Sequence, residues 1–210
     1  MIFKPHNVKN LGYLVVENLY SSFELNLIWN EIGHIDYVLN HVFDEKAKSE
    51  HRKSHNGTDE NLNPLMSGFG ISLDAFYMQR KFSAILKFNR KVMGKEIGEH
   101  FKNINSENSG YELVNTDFTL LNKYRKGEQY KKHRDSSSFS AVTFLSKTDL
   151  NGGGLEFCDY DVRVPFKNNS CVIFPSRAYH QTEEIKSNIE RYSISQFMTI
   201  RYYTDRYATS

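Results

Sequence analysis

His133-Arg134-Asp135 places an imidazole and a carboxylate two residues apart, and residues i and i+2 of an extended strand point to the same face, where both can reach one ion. Such triplets arise often by chance, and a surface histidine beside an acid in the polar run QYKKHRDSSS is the competing reading. A second imidazole, His180, follows the apolar run SCVIF and the turn PSRAYH, where a strand returning beside the first would bring it close. His133, Asp135 and His180 then form a two-histidine, one-carboxylate set, which leaves three adjacent coordination positions open for a bidentate ligand and for oxygen. Taken alone, His180 is equally a histidine satisfied by a backbone carbonyl. Arg191 opens the run RYSIS, so at period two Arg191 and Ser193 share a face and Tyr192 takes the other. A guanidinium fork beside a hydroxyl suits a carboxylate, whose two oxygens it engages together. A strand-end surface arginine is the bland alternative.

These residues need strands to position them, and the second half of the chain supplies the pattern. Short β-rich runs at 117–124, 139–145, 155–158, 170–174 and 191–202 alternate with turn-rich segments, which predicts an antiparallel sandwich or barrel. The first half reads differently. Leu11–Glu17 is a candidate strand, and Ser21-Ser22-Phe23-Glu24 is a capping box opening a helix to about Ile35. Residues 73–101 carry apolar positions near a 3.6 period, expected as one long helix or two in succession with a break near Gly94. Between them, 45–64 is polar and charged, with Asn-Gly and Asn-Pro turn signals, and is expected to be a mobile loop: a candidate lid, or a solvated insertion. The fold class is α+β, with helices covering one face of the sheet.

Composition narrows the class further. At 210 residues with 39% hydrophobic and 14% aromatic content, the chain can bury one sizeable core, and a single domain is expected. A formal charge of +2 implies no nucleic-acid or membrane partner. The basic set Lys123, Arg125, Lys126, Lys131, Lys132 and Arg134 reads as a solvated edge, with duplex binding by a structural protein as the alternative. Cys158 and Cys171, in stretches read as neighbouring strands, are expected to be free thiols. There is no signal-peptide pattern and no run near the ~20 apolar residues of a membrane span, so a cytoplasmic protein is expected.

Taken together, the segment 124–198 resembles the catalytic core of the 2-oxoglutarate and iron(II) dioxygenases, in their prolyl 4-hydroxylase-like branch. The resemblance lies in Tyr124-x-x-Gly127-x-x-Tyr130-x-x-His133-x-Asp135, then Gly152-Gly153-x-Leu155-x-Phe157, then Phe174-Pro175-Ser176 leading to His180, and Arg191-Tyr192-Ser193. It implies a double-stranded β-helix, or jelly roll, at 111–210, supported by a helix-rich 1–110, with His133, Asp135 and His180 as catalytic metal ligands. It also implies Arg191 as partner of the distal carboxylate of 2-oxoglutarate, with Tyr124 and Ser193 as hydroxyl donors and Tyr130 at the substrate entrance. Tyr124 could otherwise be a core aromatic. The implied cofactors are Fe(II), 2-oxoglutarate and O2, with ascorbate a candidate addition. The implied reaction is hydroxylation of an unactivated C–H bond with release of succinate and CO2, on a prolyl or other peptidyl substrate. A free amino acid or small metabolite is the alternative substrate, and a non-catalytic cupin-like metal-binding protein the alternative class.

Three positions depart from the family pattern. Gly154 stands where relatives often carry an acid, Ile189 where a glycine commonly precedes the arginine, and the His180–Arg191 interval is slightly long. Asn188 is expected to supply the turn in the left-handed region. The glycines at 152–154 are expected to serve φ > 0 or close backbone packing.

Overall fold

The computed structural model describes residues 1–42, 44, 46, 57–148 and 150–201. Eleven strands are described: β1 (Ile2–Val8), β2 (Leu11–Glu17), β3 (Phe69–Ser72), β4 (Thr116–Tyr124), β5 (Tyr130–His133), β6 (Phe139–Leu145), β7 (Leu155–Phe157), β8 (Val162–Val164), β9 (Ser170–Pro175), β10 (His180–Thr182) and β11 (Arg191–Thr199). They form a seven-stranded sheet in the order β1-β2-β9-β6-β11-β4-β3 and a four-stranded sheet in the order β5-β10-β7-β8. Every paired neighbour is antiparallel. The two sheets face each other as a jelly roll, and helices cover the outer face of the larger one.

Period-two alternation sorts the side chains of the large sheet between two cores. Tyr13 and Val15 of β2, Val142 and Phe144 of β6, and Val172 and Phe174 of β9 point inward and meet Leu155, Phe157 and Val164 of the small sheet. Their neighbours Leu14, Val16, Ala141, Leu145, Cys171, Ile173, Tyr192, Ile194 and Met198 point outward against the helices. Each fully buried Leu, Ile or Phe contributes about 1.5–3 kcal/mol of transfer free energy, so both faces of this sheet are held.

Helix α1 (Ser22–His41) opens on the predicted capping box, in which the Ser21 hydroxyl accepts from the Glu24 N–H and the Glu24 carboxylate from the Ser21 N–H. It buries Ile28, Ile32, Ile35 and Leu39 along one stripe and therefore runs beyond the expected end near Ile35.

The long helix expected at 73–101 is instead broken into α2 (Leu73–Phe76), α3 (Ala84–Asn89) and α4 (Lys95–Lys102), with 3-10 turns at 80–82 and 90–93. Ser72 and Ser83 cap α2 and α3 from within the stretch, accepting from the Ala75 and Leu86 N–H groups, while Gly94 forms the extended N-cap of α4. The segment is also tied down strand-wise. Asp74 accepts from the Thr119 N–H, and Arg80 bridges Asp74 and Asp117.

The first half also contributes three strands to the sheet, so it is more than a helical support. β1 and β2 form a hairpin whose two-residue turn, Lys9-Asn10, has positive φ at both positions (50° and 67°). Of the polar stretch 45–64, residues 45 and 47–56 lie outside the described residues. The described end is ordered: Thr58 bridges Pro64, and the Asp59 carboxylate accepts from the Asn61 and Asn63 N–H groups. Cys158 and Cys171 are free thiols, and they sit beside different sheets, at the end of β7 and in β9. Among the described residues no helix is long and apolar enough to cross a membrane.

Candidate active site

His133 ends β5 and His180 begins β10, and these two residues are direct cross-strand partners. Their rings stand 4.3 Å apart, centre to centre. Asp135 lies two residues beyond His133, its N–H donating to the Ser176 carbonyl at 3.1 Å. Its Oδ1 is 3.6 Å from His133 Nε2 and its Oδ2 is 3.6 Å from His180 Nε2. One ligand atom from each of the three lies within 4.8 Å of the others, a set that could hold one metal ion.

Each ring is oriented from behind. His133 Nδ1 donates to the Lys131 carbonyl at 2.7 Å and His180 Nδ1 to the Ala178 carbonyl at 2.9 Å, which leaves both Nε2 lone pairs facing the centre. Tyr130 stacks on His133 at 3.7 Å. Ser140 donates to Asp135 Oδ2 at 2.5 Å and lies 2.7 Å from the Ser176 hydroxyl, which is itself 2.7 Å from that of Ser137. Burial pushes both imidazoles down to about 4, with His180 adding to the effect at His133. Burial also raises Asp135, against the pull of His133 and the Ser140 hydroxyl. Both histidines are therefore neutral at neutral pH, the form that coordinates.

A cavity of about 480 Å³ holds this triad and continues between the sheets, lined on the way by Tyr124, Tyr130, Leu155, Thr182 and Ser193. Behind the Tyr124 wall stands Arg191, the most voluminous fully buried side chain among the described residues. It pairs in register with Tyr124, and its guanidinium carbon lies 5.0 Å from the Tyr124 ring centre and 4.9 Å from that of Phe144. All three guanidinium nitrogens are buried without a hydrogen-bond partner. Burial lowers its pKa to about 10. The neighbouring Tyr124 hydroxyl offsets part of this, although no guanidinium nitrogen reaches a partner in hydrogen-bonding geometry.

A buried charge left unpaired costs several kcal/mol, so this position is built for an anion. Two neutral imidazoles and a carboxylate lining the cavity, with an unpaired guanidinium behind its Tyr124 wall, fit an iron(II) ion with a dicarboxylate cosubstrate. Ser193 is buried and lines the same cavity, whereas Tyr192 faces the helices and donates to Asp36 at 2.5 Å, as period two requires. Tyr124 is both a cavity wall and a core aromatic, packed with Met66 and Ile185.

The glycines behave as expected. Gly152 and Gly153 have φ of +80° and +73°, and a Cβ on Gly153 would stand 2.9 Å from Arg191 Cδ. Asn188 does not: it is absent from the positive-φ residues. No tight turn is needed there, because the long approach to Arg191 is pinned earlier, by Ile185 N–H to the Glu128 carbonyl, Gly127 N–H to the Ile185 carbonyl and Lys186 N–H to the Asn151 carbonyl.

Sequence reasoning missed Ser140 and Asn122. Asn122 lines the cavity two residues before Tyr124 on the same face and donates to Ser195 at 3.0 Å, a position that period-two reading of DFTLLNKY would have found. The basic set is broken up by acids: Lys123 meets Asp36 and Glu190, Arg125 meets Glu190, and Lys132 meets Asp159.

A jelly roll with two histidines and an aspartate converging in its cavity is the frame of a non-haem metal-dependent oxygenase. Residues 119–199, within the strand-rich half of the chain, match the model of the 2OG-Fe(II) oxygenase superfamily. No curated protein sequence matches the chain. Among solved structures, a Pseudomonas putida prolyl-4-hydroxylase is similar at TM-score 0.60 and 13% identity, over 91% of this chain and 94% of that one. A Trichoplax adhaerens prolyl hydroxylase in complex with a hypoxia inducible factor peptide fragment is similar at 0.60 and 12%, over 90% and 83%. The viral collagen prolyl hydroxylase of Paramecium Bursaria Chlorella virus-1 is similar at 0.55 and 13%, over 89% and 94%. At these identities the likeness establishes a shared double-stranded β-helix fold.

Proposed function

We propose that His133, Asp135 and His180 hold one iron(II), that Arg191 with Tyr124 and Ser193 holds the distal carboxylate of 2-oxoglutarate, and that residues 1–210 act as one dioxygenase domain. The substrate we assign is a peptide, with a prolyl residue favoured. The observation that carries this reading is the buried guanidinium of Arg191, unpartnered in hydrogen-bonding geometry, beside Tyr124, a wall of the cavity that holds the triad. A metal-binding barrel without turnover has no use for it.

When bound, iron and 2-oxoglutarate let one atom of O2 enter a substrate C–H bond as hydroxyl and the other enter the cosubstrate, which leaves as succinate and CO2. The chain's own part is positional. The Lys131 and Ala178 carbonyls hold the imidazoles in the tautomer that presents Nε2, and Ser140 fixes the Asp135 carboxylate. Arg191 anchors the far end of the cosubstrate, and the apolar walls Val142 and Leu155 keep water from the reacting centre. The peptide assignment draws on the fold shared with prolyl hydroxylases, one of them solved with a peptide fragment.

The test is succinate formation from 2-oxoglutarate by the iron-loaded protein over prolyl peptides, matched by a 16 Da gain in the peptide. Tight coupling of the two supports the assignment. Succinate formation that no peptide stimulates would overturn it.

A further inference from the structure

The outer end of the cavity, beyond the metal ligands, carries a second pattern that the reaction itself does not use. Register sets its position. Phe197 of β11 stands opposite Ser140 of β6, the residue that donates to Asp135, so Phe197 lies on the triad side of the strand. Arg191 lies six residues back along the same strand, on the same inward face. The cosubstrate therefore occupies the Arg191 side, and the substrate must approach past Phe197, Thr199 and Arg201.

Two features mark that approach. Phe118 and Phe197 lie side by side with ring centres 6.3 Å apart, Phe118 being 38% exposed, and they offer an apolar seat. Arg134 and Arg201 line the same cavity and are exposed, and neither has an acidic partner among the described residues. Arg134 has only the Tyr179 ring beneath its guanidinium, at 5.7 Å. The cavity's acids do not answer these charges. Asp135 faces the two histidines, and Asp117, with a side chain 2% exposed, is ion-paired to Arg80 at 2.7 Å and Arg90 at 3.0 Å. The uncompensated charge at the rim is thus positive, next to an apolar surface.

We infer that the enzyme selects a substrate bearing a carboxylate beside the apolar residue that is hydroxylated, with Phe118 and Phe197 seating that residue and Arg134 and Arg201 holding the carboxylate. The inference rests on the hydroxylase reading above and narrows its substrate. A carboxylate of this kind has two sources, an acidic neighbour in a peptide or the α-carboxylate of a free amino acid.

Two matched probe pairs separate them: a capped prolyl peptide with Asp or Asn beside the proline, and free proline against prolinamide. Succinate release is followed in wild type, in R134Q and R201Q singly, and in R134Q/R201Q. The acid of at least one pair should have a KM about tenfold below its amide, as charge-assisted hydrogen bonds predict. That advantage should shrink at high salt and vanish in R134Q/R201Q, while 2-oxoglutarate affinity stays at the wild-type level. The pair that shows it names the source. Equal KM values for acid and amide in both pairs, or an advantage that survives in R134Q/R201Q, would overturn the inference while leaving hydroxylation standing. If no probe, acid or amide, stimulates succinate release from protein that binds 2-oxoglutarate, the prolyl reading fails and this inference falls with it.

Discussion

The two ends of the candidate site are completed in opposite ways. At the triad, each imidazole donates to a backbone carbonyl and Asp135 accepts from Ser140, so only the atoms facing the centre are uncommitted. Behind the Tyr124 wall, Arg191 is fully buried, and none of its three guanidinium nitrogens reaches a partner in hydrogen-bonding geometry. One end is braced for a cation and the other waits for an anion. The difference teaches that the metal end is preorganised by its neighbours, whereas the arginine end reaches a satisfied state only when a ligand supplies the missing charge.

The largest effect should come from breaking the braced end. Asp135→Ala removes a carboxylate that is proposed to bind the metal and stands between strands, outside both large hydrophobic cores, so the fold should survive while turnover is abolished. Circular dichroism paired with succinate release checks this. Wild-type turnover in the variant would exclude Asp135 from the metal site.

A smaller effect concerns protons. In the folded, metal-free protein burial holds His133 and His180 at about 4, against an ordinary 6.5 in the unfolded chain. Between those values the unfolded chain binds more protons than the folded one. Stability should therefore be fully present above pH 6.5 and fall as pH drops towards 4, by up to about 3 kcal/mol per imidazole. The raised Asp135 works in the opposite sense at the acid end and trims the loss. Ring proton signals of both histidines should keep their neutral positions down to pH 5. Midpoints near 6.5 for both would contradict the burial that braces this end.

How much of this was legible in the chain depends on the range of the interaction concerned. The shared faces of His133 with Asp135 and of Arg191 with Ser193 follow from period two, and the apolar strands β4, β6 and β9 from their residue runs, whereas joining His133, Asp135, His180 and Arg191 into one site took the resemblance to a family. The strand β1 was not legible because it is an edge strand, largely exposed, with Pro5 inside it, which leaves no alternating apolar signal. The break-up of 73–101 was hidden because its causes lie partly elsewhere in the sequence: Asp74 and Arg80 are tied to Asp117 and Thr119, residues of a distant strand. Ser140 and Ser176 read as ordinary strand and turn serines. Their role as a support for Asp135 appears only once β6 and β9 pair.

The most direct test of the account is an anaerobic titration of 2-oxoglutarate into the iron-loaded wild type and Arg191→Ala, following the absorbance of the iron–cosubstrate chelate. Losing one partner of a buried charge pair costs on the order of 3–5 kcal/mol, so affinity for 2-oxoglutarate should fall by roughly a hundredfold or more in the variant. Iron affinity should be unchanged, because Arg191 is not among the residues proposed to bind the metal. Equal 2-oxoglutarate affinities in the two proteins would contradict the account, since the buried guanidinium would then have no part in holding the cosubstrate.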